Sequence, residues 1–140
     1  MTHRVVLVRE WDWQLTGSGC CGKVGGQGHE LGDAHAFRRS RAEMVRTGAV
    51  YEALRCAFGD DVELTVVDPR NTAWIVPSIY RDARRHGLSR AAALRSVAKA
   101  TANGAVVVDG RVLFDGRIPP TPEEALAAVR AELGRDARDA

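Results

Sequence analysis

Apolar residues in this chain fall into two patterns, short continuous runs and stripes spaced three or four apart. Val5 to Val8 is a continuous run, as expected for a strand buried on both faces. "VELTVV", residues 62–67, predicts a second strand, closed by Asp68-Pro69. In "AVVVDGRVLFDG" two apolar runs flank Asp109-Gly110. That dipeptide predicts a two-residue hairpin, because a type I′ turn needs positive φ at both positions. Between these runs the spacing turns helical. A long helix is predicted from about Ala36 to Phe58, after an Asp33 cap, with Phe37, Met44, Tyr51, Leu54 and Phe58 on its main stripe. Val50 and Ala57 lie beside that stripe, and Gly59-Asp60-Asp61 ends the helix. Asn71 or Thr72 opens another helical region, which Pro77 is expected to interrupt or restart. Gly87 stops it, Ser89 caps the next helix, and Asn103-Gly104 stops that one. Thr121 caps the last helix, whose first turn carries Pro122, Glu123 and Glu124 to match the helix dipole. Leu126, Val129 and Leu133 form its apolar face, and residues 134–140 read as a frayed tail.

The predicted order is β-α-β-α-α-β-β-α, and 140 residues suit one domain, 1–140. Composition narrows the function only slightly. A net charge of +2 and the short clusters Arg38-Arg39-x-Arg41 and Arg81-x-x-Arg84-Arg85-His86 read as solvated helix faces, so no nucleic-acid partner is expected. No secretory leader and no membrane span are expected, since the first apolar run has four residues. Three cysteines, an odd number, fit a reducing compartment, and the expected location is cytoplasmic.

The chemistry-bearing stretch is "GSGCCGKVGGQGHELGDAH", residues 17–35, with a glycine- and cysteine-rich loop expected over 17–33. Gly17-x4-Gly22-Lys23 imitates a phosphate loop, but Val24 stands where the magnesium-binding hydroxyl belongs and more glycines follow. A disulfide between Cys20 and Cys21 is disfavoured, because neighbouring Cα atoms sit about 3.8 Å apart, below the usual disulfide span. A soft ion fits better. Thiolates prefer thiophilic ions such as copper, zinc or arsenite, and glycines let adjacent cysteines turn toward one centre. The predicted ligands are Cys20, Cys21, His29 and His35. Cys56 is expected to be a buried, inert thiol on a helix flank shared with Val45, Ala49 and Ala53. His3 and His86 receive no functional role. Trp11 and Trp13 are assigned to covering the loop, the core edge or a partner, and Trp74 to core packing.

The connectivity is that of a thioredoxin-like α/β domain with a four-stranded mixed sheet and flanking helices. "AVVVDGRVLFDGRIPPTPEEAL" resembles the closing strands and helix of thioredoxin-fold proteins. With Cys20-Cys21 after the first strand, the chain is especially similar to the arsenical metallochaperone family. It resembles thioredoxin-like [2Fe-2S] ferredoxins less closely, as their clusters take four cysteines. The resemblance implies thiols placed ahead of a helix N-terminus, which lowers thiol pKa. Two departures matter. The arsenical family carries a third cysteine where this chain has Lys23 to Gly28, and Gly104-Ala105 stands where thioredoxin-like oxidoreductases carry a cis-proline.

The expected function is thiolate-dependent binding or transfer of a soft metal or metalloid, with a protein partner. One alternative is a thiol–disulfide oxidoreductase with Cys20 as nucleophile and Cys21 as resolving thiol. The other is an interaction module that keeps the fold without redox chemistry.

Overall fold

The four apolar runs become four strands of one mixed sheet in the computed structural model, which describes residues 2–9, 34–116 and 120–139. Strand β1 is His3–Val8, β2 Val62–Val67, β3 Ala105–Val108 and β4 Arg111–Asp115. Their order across the sheet is β2-β1-β3-β4. β1 and β2 are parallel, in register from His3↔Val62 to Val8↔Val67. β3 runs antiparallel to β1, and β4 antiparallel to β3, with an irregularity between Val106 and Val107.

Among the described residues, four α-helices accompany the sheet: α1 Ala34–Phe58, α2 Thr72–Arg85, α3 Arg90–Ala100 and α4 Pro122–Asp139. The alternation of side chains along β1 divides the core in two. Val5 and Leu7 pack with Val50 and Leu54 of α1 and with Ala125 and Val129 of α4. Val6 and Val8 pack with Ile75 and Ile79 of α2 and with Ala100 of α3. The continuous apolar run of β1 therefore follows from its position: it is an inner strand with helices on both faces.

Local chemistry accounts for most boundaries. Asp109 and Gly110 have φ of 49° and 80°, both positive as a type I′ turn demands. The Ser89 hydroxyl accepts from the Ala92 N–H at 3.2 Å, capping α3. At α4, Thr121 Oγ1 accepts from the Glu124 N–H at 3.2 Å while Glu124 Oε2 accepts from the Thr121 N–H at 2.9 Å. This reciprocal capping box predicts that Thr121→Ala costs about 1 kcal/mol in urea unfolding. An unchanged midpoint would show that the box contributes nothing.

The structure departs from the sequence reading in several places. A 3-10 turn, Gly59–Asp61, stands between α1 and β2, so the element order contains a piece the sequence pattern did not supply. α2 runs unbroken through Pro77. The carbonyl that the proline leaves without its helical donor belongs to Ala73, and Ala73 and Pro77 both lie on the face open to solvent. α1 begins at Ala34, two residues earlier than expected, and takes His35 into its first turn. α4 extends to Asp139, so residues 134–139 are helical. Cys56 is exposed, not buried, and its thiol is free.

Candidate functional site

β1 is six residues long, so its two ends lie about 17 Å apart at 3.3 Å per step. Each end carries a different kind of chemistry.

The Cys20-Cys21 segment joins the carboxyl end of β1, at Val8, to the start of α1, at Ala34. Cys20, Cys21, His29, Trp11 and Trp13 lie outside the described residues; His35 is placed by its backbone in the first turn of α1. Around this end, Gly104, at φ +86°, donates its backbone N–H to the Val8 carbonyl at 2.7 Å. The Arg9 N–H donates to the Val67 carbonyl at 2.9 Å, tying the outgoing chain to β2. A small apolar notch of about 20 Å³ opens here between Leu7, Val8, Val50, Gly104 and Pro120, room for about one water. At the neighbouring end of β2, Asp68 Oδ1 accepts from the Arg70 N–H at 2.8 Å. Its Oδ2 is shielded from solvent and has no hydrogen-bond partner among the described residues.

The opposite end of the sheet holds a cluster the sequence reading passed over. His3 opens β1, His86 caps the C-terminus of α2, and Asp109 occupies the β3–β4 turn. His3 Nδ1 lies 2.7 Å from Asp109 Oδ2, and His86 Nε2 lies 3.5 Å from Asp109 Oδ1. The two imidazole centroids are 5.9 Å apart. Asp109 Oδ1 accepts from the Arg4 N–H at 2.8 Å, and the Asp109 N–H donates to the Arg4 carbonyl at 2.9 Å. The turn is thereby pinned to the start of β1.

The Arg4 side chain turns elsewhere, reaching Asp82 Oδ2 at 3.1 Å and Glu63 Oε2 at 3.2 Å. Burial works against the charge on Arg4, and Glu63 and Asp82 outweigh it, holding its pKa above the ordinary value. Among the described residues, His3, His86 and Asp109 form the one group of three His, Cys, Asp or Glu donors able to share an ion, their ligand atoms lying within 4.8 Å of one another. No helix among the described residues is long and apolar enough to cross a membrane.

No family model, curated protein or solved structure matches this chain. The cluster was illegible in sequence because its members are separated by most of the chain; His3 and Asp109 are 106 positions apart. The one available signal was Asp109 itself, a carboxylate at the tip of a tight hairpin, which reads as turn chemistry alone.

Proposed function

We propose that this protein is a thioredoxin-like carrier of a soft metal or metalloid ion, with Cys20 and Cys21 as its thiolate ligands. The supporting observation is topological. The sheet order β2-β1-β3-β4 combines a parallel first pair with antiparallel β3 and β4, and the vicinal cysteines fall between the carboxyl end of β1 and α1. That sheet order supports the thioredoxin-like reading, in which the thiols belong to the segment that leads into a helix N-terminus. His29 and His35 complete the ligand set on this reading.

Two thiols lose their protons as the ion binds, and the ion leaves by stepwise replacement of each thiolate by a ligand of a partner protein. Thiolate ligands of this kind need a reducing compartment, in keeping with a cytoplasmic location. Gly104-Ala105, standing where thioredoxin-like oxidoreductases carry a cis-proline, favours binding over disulfide catalysis.

Native and denatured masses of anaerobically purified protein test the reading. A native excess of one copper, zinc or arsenic, lost on denaturation and in Cys20→Ser, is the expected result. An apo mass with every thiol free after exposure to copper, zinc and arsenite would sink it.

A further inference from the structure

We propose that His3, His86 and Asp109 form a second metal site, for a divalent ion of the zinc class, at the end of the sheet opposite the cysteines. Four observations carry it. The donor set is two imidazoles and one carboxylate, borderline ligands that suit zinc and its first-row neighbours, not the thiophilic ions that cysteines select. The spacing is close to what one ion requires. Ligands about 2.0–2.1 Å from a tetrahedral zinc are roughly 3.4 Å from each other. One ligand atom from each residue lies within 4.8 Å of the other two, and the 2.7 Å between His3 Nδ1 and Asp109 Oδ2 must open by a fraction of an ångström.

The third observation is charge. The Asp109 carboxylate is 3% exposed and faces two imidazoles and a backbone N–H, while the nearby Arg4 guanidinium is engaged by Asp82 and Glu63. A buried carboxylate needs a positive charge beside it. In the free protein the carboxylate meets only hydrogen-bonding groups, the His3 ring and the Arg4 N–H; zinc supplies a positive charge in the same place. The fourth is the field of α2. His86 caps the C-terminus of that helix, the negative end of its dipole, which favours a cation.

The geometry also supplies an entrance and a brace. His3 is the most open of the three, at 30% exposed, so an ion and its remaining waters sit on that side. The Arg4 N–H holds Asp109 Oδ1 at 2.8 Å, orienting the carboxylate so that Oδ2 is presented to the ion. Ligation through Nδ1 requires the His3 ring proton to sit on Nε2, so zinc takes the place of the hydrogen bond between His3 Nδ1 and Asp109 Oδ2.

The test separates this site from the cysteines by using full-length Cys20→Ser/Cys21→Ser protein. Zinc chloride is titrated into metal-free protein, following heat and the histidine ring signals by NMR. One equivalent of zinc is expected to bind and to shift the His3 and His86 rings. His86→Gln and His3→Ala should each weaken binding about tenfold or more, since even supporting residues cost 10–100-fold. Ring signals of His3 and His86 that stay in place while zinc binds elsewhere, or not at all, would overturn the site. The ring readout needs no further substitution, so a misfolded variant does not obscure the answer. Cobalt added to the chain with its cysteines intact keeps the two proposals apart. Thiolate charge-transfer bands report Cys20 and Cys21, and weak d–d bands without them report the imidazole–carboxylate site.

Discussion

Gly110→Ala should destabilise the protein by at least about 4 kcal/mol, enough to leave a marginal domain partly unfolded at ambient temperature. A methyl group at Gly110 would lie 2.1 Å from the Ala83 nitrogen and 2.5 Å from its Cα. Both are backbone atoms of α2 on its buried face, so no side-chain rotation relieves the overlap. The β3–β4 turn and α2 must separate instead. The φ of +80° at Gly110 adds the ordinary left-handed cost of about 1–2 kcal/mol. Gly59→Ala isolates that second contribution, because Gly59 also has positive φ, +53°, but nothing lies within 4 Å of the added methyl. Urea unfolding of the two variants should therefore differ by several kcal/mol. Equal losses would mean that the hairpin does not press on α2, and His86 and Asp109 would then not be held together as described.

That contact shows what a linear sequence reveals and what it hides. The Asp109-Gly110 hairpin was legible because the turn type requires positive φ from two adjacent residues. Ser89 and Thr121 were legible for the same reason: a cap is satisfied within three residues of itself. β1 was legible because its apolar run is short and rich in β-branched valine, too short for a buried helix. Docking of the hairpin against Ala83, and hence the cluster of His3, His86 and Asp109, depends on tertiary packing that no local window contains.

Cys56 failed differently. Its grouping with Val45 and Ala49 on one line of α1 was sound, but that line lies about 200° from Leu54 at 3.6 residues per turn. Val50 and Leu54 face the sheet, so Val45 and Cys56 face away. The main stripe through Leu54 was chosen rightly; the small apolar residues beside Cys56 on the opposite side were mistaken for a second buried surface. The cysteine loop is the converse case. Residue chemistry alone proposed its ligands, and Cys20 and Cys21 lie outside the described residues.

Asp109→Ala carries the second large effect, about 3 kcal/mol in urea unfolding, and comparison with Asp109→Asn divides its cause. Alanine leaves the shielded Arg4 N–H without its acceptor at 2.8 Å, a loss of about 1–3 kcal/mol. It also places a residue with little tolerance for left-handed backbone at φ 49°, adding about 1–2 kcal/mol. Asparagine keeps an oxygen for Arg4 and tolerates that φ, so the turn should survive with a loss of about 1 kcal/mol. What asparagine removes is the negative charge facing His3 and His86. The two substitutions thus separate the carboxylate as a turn brace from the carboxylate as a ligand. If asparagine costs as much as alanine in metal-free protein, pairing of the buried charge with imidazole holds this end of the sheet. If asparagine is mild without metal yet abolishes the stabilisation zinc gives the Cys20→Ser/Cys21→Ser chain, the turn has kept a negative charge for an ion to use.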